Sequence, residues 1–315
     1  MKKVILFNFG LVSFLFSTTI NIPADYTTIQ AGINASVDGD TVLVAQGTYS
    51  ENLILANEIV LASHAIYDEL DSDWLDNDNI NNTIVNGAHN GSCLIIKDGN
   101  IQPTVIGLTF QDGVGTSMIE VDCGAFPVRS GGAILLYKAY PTIMYNRFIN
   151  NGFTPGLAGP GTSVTNGGAI SHFADDDVEF DEDRYNSSQS NNSSRDIPGE
   201  LNIQNNYFEG NSSGNGENFY SHGYEGNIDV SGSVFEDIDC ETNTVNEFVL
   251  QSIENAADYI QNDISGVCIE SNSFYVSDDG NDSNDGTEEA PLKTIGHALS
   301  LVRDAETPTT IYLNP

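Results

Sequence analysis

Residues 143–152, IMYNRFINNG, contain the pattern that decides the fold. An apolar residue is followed five positions later by phenylalanine, and polar or glycine-rich residues come next. Five copies occur: Val105 to Phe110, Ile143 to Phe148, Ile203 to Phe208, Val230 to Phe235 and Ile269 to Phe274. Asparagine stands two positions before the phenylalanine in three copies, at Asn146, Asn206 and Asn272. We infer that one structural unit is repeated along the chain.

The residue types of the repeat indicate stacked coils. Phe208 and Phe235 are 27 residues apart, which suits one coil of a solenoid. When coils stack, equivalent apolar side chains form interior ladders, aromatic rings stack, and asparagine at a bend bonds to the next coil. Glycine and asparagine supply the left-handed backbone that tight bends need. We therefore predict an all-β fold, a single-stranded right-handed parallel β-helix over residues 20–272.

Two acidic insertions interrupt this pattern. Residues 175–196 are rich in Asp, Ser and Asn and almost devoid of apolar residues, so we predict a flexible loop that protrudes from the solenoid. Residues 68–82 form a second insertion and carry the single tryptophan, Trp74.

The N-terminus and the charge predict an exported protein. Lys2 and Lys3 precede an apolar run over 4–16 that is too short to span a membrane, so we interpret residues 1–19 as a signal peptide. Lys and Arg total 10 against 45 Asp and Glu, a formal net charge of −35. Such a charge argues against nucleic acid and anionic membranes as partners. We expect a secreted or outer-surface location with no transmembrane segment after signal removal.

A capping helix is predicted at the start of the solenoid. Thr27 or Thr28 can cap a helix whose apolar face is Ile29, Ile33 and Val37, and a strand over 41–45 follows. Such a helix would cover the open strand edges at the end of the stack. The segments T-I-Q-A-G-I, G-D-T-V-L-V and G-T-Y-S-E-N at 28–33, 39–44 and 47–52 resemble the N-terminal opening of the pectin lyase-like superfamily, which includes pectin methylesterases. This resemblance implies the fold and not the chemistry, because the opening is a cap.

A second motif occurs twice. Gly131-Gly132-Ala133-Ile134 matches Gly167-Gly168-Ala169-Ile170, and each copy lies near a Phe-x-x-Asn, at 148–151 and 208–211. Paired G-G-A-I and F-x-x-N motifs resemble the repeats of the polymorphic outer-membrane protein family, which implies a β-helix on a bacterial surface.

The last residues are similar to another cap. Tyr275-Val276-Ser277, then G-N-D-S-N-D-G-T at 280–287 and P-L-K-T-I at 291–295, resemble a bacterial domain of unknown function found at the start of β-helices. We predict that residues 273–315 are the truncated start of a second β-helix module.

Four cysteines suit an oxidising compartment. Cys93 and Cys123 are 30 residues apart, and Cys240 and Cys268 are 28 apart, which would place each pair on neighbouring coils. The alternatives are two disulfides with these pairings or buried free thiols.

The closing cap also offers oxygen ligands. Asp278, Asp282, Asn284 and Asp285 could bind calcium, or they could order the loop as Asx-turns. Calcium is the one cofactor that the sequence suggests, and no bidentate Glu stands at EF-hand spacing.

Catalytic motifs are weak. A lyase needs Arg or Lys as base beside a calcium-acidified carboxylate, and Arg129, Lys138 and Arg147 with Glu120 and Asp122 are the candidates. Their alternative role is that of solvated surface charges. Ser221-His222-Gly223 is faintly similar to the G-H-G of polygalacturonases, but the N-T-D and R-I-K segments are absent, and we interpret His222 as a loop residue.

Two functions therefore stand as hypotheses. The first is a non-catalytic scaffold or adhesin that contacts glycans. The alternative is a calcium-dependent polysaccharide lyase or glycoside hydrolase that acts on acidic polysaccharide.

Overall fold

The computed structural model describes residues 17–70, 73–120, 126–152, 165–175, 178–180, 196–240, 242–245, 249–268, 273–301 and 310–314. The predicted signal peptide lies mostly outside this part. Within it, no helix is long and apolar enough to cross a membrane.

The described chain is mostly β-structure with few helices. The strands are β1 (Thr19–Ile22), β2 (Thr41–Val44), β3 (Gly47–Ser50), β4 (Leu53–Leu55), β5 (Val60–Ser63), β6 (Thr83–Asn86), β7 (Leu94–Ile101), β8 (Thr104–Ile106), β9 (Thr109–Gln111), β10 (Thr116–Glu120), β11 (Phe126–Ser130), β12 (Ile134–Ala139), β13 (Thr142–Met144), β14 (Arg147–Ile149), β15 (Thr165–Asn166), β16 (Ile170–Phe173), β17 (Val178–Phe180), β18 (Glu200–Asn202), β19 (Tyr207–Glu209), β20 (Phe219–His222), β21 (Asn227–Asp229), β22 (Val234–Ile238), β23 (Leu250–Ile253), β24 (Tyr259–Ile260), β25 (Ser265–Cys268), β26 (Ser273–Ser277) and β27 (Thr310–Asn314). The α-helices are α1 (Ile29–Ala35), α2 (Asp78–Asn81) and α3 (Ile295–Ser300), and 3₁₀ turns cover His64–Tyr67 and Trp74–Asp76.

Three parallel sheets share the repeating part of the chain. The first has the order β1-β2-β5-β8-β13, the second β3-β6-β9-β14-β19-β22-β25, and the third β4-β7-β12-β16-β20-β23. From β2 to β9 the chain visits the three sheets in turn and then returns to the first, one strand further along. The first sheet ends at β13. A three-stranded parallel sheet, β18-β21-β24, follows it in the next circuits, with β18 in contact with β13. Each circuit of the chain therefore stacks on the one before it.

The repeated phenylalanines stack inside the second sheet. Phe110, Phe148, Phe208 and Phe235 lie on neighbouring strands in one buried core. Successive ring centroids are 5.7, 5.0 and 5.1 Å apart and the ring planes are within 14° of parallel. This is the ladder that the repeat predicts. The fifth copy is an exception, because Phe274 lies in a separate core with Val276, Leu292 and Ala298.

Buried asparagines link the circuits at the bends before these strands. Oδ1 of Asn146 accepts from the backbone N–H of Leu108 at 3.0 Å, and Oδ1 of Asn206 accepts from that of Asn146 at 3.0 Å. Ser233 replaces asparagine in the next circuit and accepts from the N–H of Asn206 at 3.1 Å. We call this series the asparagine ladder; it satisfies backbone N–H groups that burial would otherwise leave unpaired.

A second series runs beside the asparagine ladder, after the phenylalanine strands. Oδ1 of Asn151 accepts from Gly113 N–H, and Oδ1 of Asn211 accepts from Asn151 N–H, at 3.0 and 3.1 Å. In the circuit after Asn211, Ile238 closes strand β22. This second asparagine ladder therefore ends at Asn211.

Helix α1 closes the start of the stack. Oγ1 of Thr28 accepts from Ala31 N–H at 3.2 Å, and both oxygens of Glu51 accept from the first-turn amides of Ile29 and Gln30. The Gln30 side chain bonds both ways to the backbone of Ile54, at 3.0 and 2.7 Å, which satisfies the open edge of β4. The helix is shorter than predicted, because Ser36 ends it, so Val37 is 55% exposed and does not extend the apolar face.

Part of each insertion packs onto the stack. Residues 178–180, predicted as loop, form β17, which pairs antiparallel with β10 as β11 does on the other side. We call the sheet β15-β11-β10-β17 the added sheet. Met118 and Val128 of this added sheet cover outward-facing Ile95, Leu135 and Phe173 of the third sheet. In the other insertion Trp74 is buried and meets the Tyr145 ring edge-on at 5.6 Å.

Candidate functional site

The basic residues predicted for a lyase lie on three different sheets. Arg129 is on β11 of the added sheet, Lys138 on β12 of the third sheet, and Arg147 on β14 of the second. Glu120 is on β10, while Asp122 lies outside the described residues. The chain changes sheet every few residues, so residues close in sequence point in different directions.

Each of these cations has its own contacts. The Arg147 guanidinium donates to Oδ1 of Asn81 and lies 4.7 Å from the Tyr207 ring centroid. Arg129 donates to the carbonyls of Val114 and Gly115 at 3.5 and 3.3 Å. Lys138 Nζ is 5.4 Å from the Tyr137 ring centroid. These contacts hold each side chain in place within the fold. The structure does not bring the three cations together at one point.

The predicted calcium loop is ordered by its own hydrogen bonds. The Asp282 carboxylate accepts from the amides of Lys293 and Thr294 and from the Thr294 hydroxyl, at 2.7–2.9 Å. Asn284 donates to the Pro291 carbonyl, and the Asp278 carbonyl accepts from Lys293 Nζ. Within the described residues, no three His, Cys, Asp or Glu side chains are grouped closely enough to hold a metal ion.

The cysteines differ from one another. Cys240 and Cys268 form a disulfide, with a Cα–Cα distance of 5.3 Å. Cys93 is a buried free thiol, which contradicts the predicted Cys93–Cys123 bond; Cys123 itself lies outside the described residues. The Cys93 thiol faces Gln111 O at 3.3 Å, and burial raises its pKa to about 12, so it stays protonated and unreactive.

A cavity of about 120 Å³ lies where the last circuits of the stack meet the loop and helix of residues 282–301. We call it the junction cavity. Its apolar wall is Val249, Val267, Cys268 and Leu301. Its polar lining includes five carboxylates, those of Glu217, Glu236, Asp237, Asp282 and Asp285, with His297 as the one titratable base in the lining. Apolar surface beside convergent polar groups is the usual make-up of a small-molecule site.

The second asparagine ladder ends in this cavity. Asn211 and Asn218 both line it and are buried. Nδ2 of Asn211 donates to Phe148 O and to Oδ1 of Asn218, at 2.9 and 3.1 Å. The sequence shows Asn211 as the last residue of a Phe-x-x-Asn motif. It carries no signal that residues between 211 and 301 come together around one cavity.

A second polar cluster lies at the ends of β16 and β20. Nδ1 of His222 is 2.9 Å from Oδ2 of Asp175, and both side chains are partly exposed. Gly223 has a φ of +71°, and a Cβ there would collide with the Asp175 carboxylate, so glycine makes room for the pair. The interpretation of His222 as a loop residue is wrong, because it is the last residue of β20.

Behind this pair lies a sealed histidine. His172 is fully buried, its Nδ1 is 3.2 Å from Ser221 Oγ, and its ring meets those of Tyr140 and Tyr224 edge-on, at 5.2 Å each. Burial lowers the pKa of His172 to about 3. Burial, and to a smaller extent the charge of Asp175, raises the pKa of Tyr140 to about 12. Both rings are therefore neutral at ordinary pH and out of reach of a substrate.

No protein-family model and no curated protein matches the chain. Among solved structures, a pectin methylesterase mutant in complex with a hexasaccharide is matched at 9% identity and a TM-score of 0.24, over 93% of this chain and 98% of that one. A likeness this low carries no argument, so the resemblances drawn from short motifs stay predictions.

Proposed function

We propose that the protein is a secreted or cell-surface scaffold, a single right-handed parallel β-helix that binds glycan without cleaving it. The observation that carries this proposal is the junction cavity, which is lined by an apolar wall, buried amides and carboxylates. Sugars present apolar faces and hydroxyl groups that both donate and accept hydrogen bonds, and this lining suits both. Residues 273–315 are proposed as the start of a second module of the same kind.

The arrangement of cations supports binding over lyase chemistry. A proton-abstracting base must lie within hydrogen-bond reach of the substrate carbon's proton, beside the group that acidifies it. Arg129, Lys138 and Arg147 lie on different sheets and are held by separate contacts. None of the five carboxylates of the junction cavity has such a cation beside it in the lining.

Filling the cavity tests the proposal. Val267 is 56% exposed at the cavity wall, and Val37 is 55% exposed at the opposite end of the stack. Calorimetric titration with a panel of oligosaccharides should give one binding site in the parent chain. We expect Val267→Trp to weaken that binding at least tenfold and Val37→Trp to leave it unchanged. Binding that survives Val267→Trp would remove the cavity from the proposal, and no binding to any saccharide would overturn the proposal itself.

One observation favours the second candidate, a polysaccharide lyase or hydrolase acting on acidic polysaccharide. A carboxylate that fixes Nδ1 of histidine, as Asp175 does for His222, is the arrangement of a general base. Acidic polysaccharides would be incubated with the protein and calcium while unsaturated products and new reducing ends are followed. Turnover by the parent chain that is lost in His222→Ala would show that the protein is an enzyme and overturn the proposal of a non-catalytic scaffold.

A further inference from the structure

We expect a negative electrostatic potential in the junction cavity, because its lining and the whole chain are both rich in carboxylates. Five carboxylates line it against His297, and the whole chain carries a formal net charge of −35. Carboxylates that share a small concave space focus a negative potential, which attracts cations and repels anions. A uronate sugar would meet this repulsion.

Buried donors in the same cavity point to more than a bare cation. Within the described part of the chain, neither the backbone N–H of Asn211 nor Nδ2 of Asn218 makes a hydrogen bond. Both residues are more than nine-tenths buried and both line the cavity. The N–H of Asn211 is the position at which the second asparagine ladder would continue, and Ile238 in the next circuit has no side-chain oxygen to accept from it. Such donors take an acceptor atom, from water in the open cavity or from a ligand, and a cation cannot supply one.

We infer that the junction cavity takes an amine-bearing sugar, an inference that rests on the glycan-binding proposal above. The ammonium group would lie among the carboxylates, and ring or hydroxyl oxygens would accept from Asn211 and Asn218. A divalent cation fits less well, because the described carboxylates include no group of three that converges on one point. The amino sugar is the ligand class that meets both the negative charge and the unpaired donors.

The size of the cavity limits the ligand. A volume of about 120 Å³ is well below the roughly 300–1,000 Å³ of pockets that enclose a drug-sized ligand, and the cavity opens to solvent. It therefore accommodates part of one sugar rather than a long chain, so a terminal residue is the expected contact.

Three probes of equal length separate the ligand classes. Trisaccharides of glucosamine, of N-acetylglucosamine and of galacturonate are titrated into the full chain at low salt. We expect the amine-bearing probe to bind at one site at least tenfold more tightly than the N-acetylated probe, and the acidic probe not to bind. Raising the salt concentration should weaken the amine-bearing probe most.

Matched variants distinguish the cavity from general attraction to an acidic surface. Asp285 is exposed and lines the cavity, whereas Glu69 is exposed in the insertion over 68–82 and is not part of the lining. Asp285→Asn should weaken the glucosamine probe three- to tenfold, and Glu69→Gln should change it less than twofold. Equal effects of the two variants would show attraction to net charge and overturn the inference.

The remaining outcomes are distinct. Equal binding of the N-acetylated and amine-bearing probes, blocked by Val267→Trp, would overturn the amine preference and leave glycan binding intact. Preference for galacturonate would also overturn it. Failure of all three probes would overturn the inference, and the proposed function would fall with it only if the wider oligosaccharide panel also gives no binding.

Discussion

The two strand–helix–strand segments at the ends of the chain are built alike and buried differently. β1–α1–β2 and β26–α3–β27 each pair two parallel strands around a short helix, and a threonine caps each helix: Thr28 accepts from Ala31 N–H and Thr294 from His297 N–H. Yet Ile29 is fully buried, while Ile295, the residue at the same position, is 47% exposed. β2 has strands on both sides, whereas β27 pairs with β26 alone among the described strands.

The difference separates what the local sequence determines in these segments from what packing against neighbouring circuits determines. Helices of six or seven residues are too short to be stable alone, so capping selects where they begin and packing decides whether they contribute stability. At the N-terminus the next circuits supply that packing. The same sequence pattern therefore yields a core-forming cap in one place and a half-exposed one in the other.

The largest expected difference between the two regions appears on acidification. His172 lies in the main stack with a pKa lowered to about 3 from 6.5. Because the unfolded chain takes up this proton first, the contribution of neutral His172 is complete above about pH 6.5 and is lost as pH falls towards 3, at about 1.4 kcal/mol per unit. Up to roughly 5 kcal/mol of stack stability would go, and the C-terminal segment would not share this loss.

Urea unfolding at several pH values, followed by near-ultraviolet circular dichroism, measures it. Leucine is the natural replacement, because Leu136 occupies the same register position one circuit earlier. His172→Leu should flatten the pH dependence between 6.5 and 3. An unchanged slope would show that His172 is protonated in the folded chain.

Truncation of Ile29 and Ile295, which occupy the same position in the two terminal helices, should have the next largest difference in effect on stability. Ile29→Ala removes a fully buried side chain and should cost about 2–5 kcal/mol, from lost transfer energy and the cavity left behind. Ile295→Ala, at a half-exposed site, should cost about 0.5 kcal/mol. Equal shifts in the urea midpoint would mean that the C-terminal helix is packed as tightly as α1.

The position after each isoleucine sharpens the contrast. Gln30 bonds both backbone groups of Ile54, so Gln30→Ala should cost about 1 kcal/mol by removing two hydrogen bonds to partly buried backbone groups. At its counterpart, Gly296, an added Cβ would meet nothing within 4 Å, so Gly296→Ala should stabilise α3 by about 1 kcal/mol. Thermal unfolding would show opposite signs for the two variants; a loss in both would place an unseen contact at Gly296.

The smallest expected effect tests what the two regions share. Thr28→Ala and Thr294→Ala each remove one capping hydrogen bond, at about 1 kcal/mol. The Thr294 hydroxyl also donates to Asp282, so its replacement should additionally loosen the loop over 282–293. Hydrogen exchange of the loop amides measures this second effect, and no faster exchange in Thr294→Ala would show that Asp282 holds the loop through the backbone amides alone.

The repeat makes the core predictable from sequence. Phe148 and Asn146 recur at fixed positions in most units, so one copy predicts the others, and the stacked rings and the asparagine ladder follow. The prediction for Val37 is wrong because apolar periodicity continues past the residue where the helix ends. Length and end of a short helix depend on caps that the pattern does not encode.

The candidate site is far less predictable. Asp175 and His222 are 47 residues apart, and their contact depends on the register of β16 against β20, which no local signal gives. The three basic residues between 129 and 147 are close in the sequence, yet strands β11 to β14, which cover that interval, belong to four different sheets. The junction cavity joins residues 211 to 301 and exists only when the last circuit meets the loop.

The asparagine ladder has a consequence for how such a protein can change length over generations. Each asparagine reaches back to the circuit before it, so every link is made between equivalent positions of adjacent copies. Copying or deleting one whole circuit of DNA-encoded repeat would join an asparagine to the same kind of neighbour and preserve every link. Adding a single residue within a circuit would instead uncouple the links that this circuit makes on both sides. Growth by whole units is therefore the change that this architecture tolerates best.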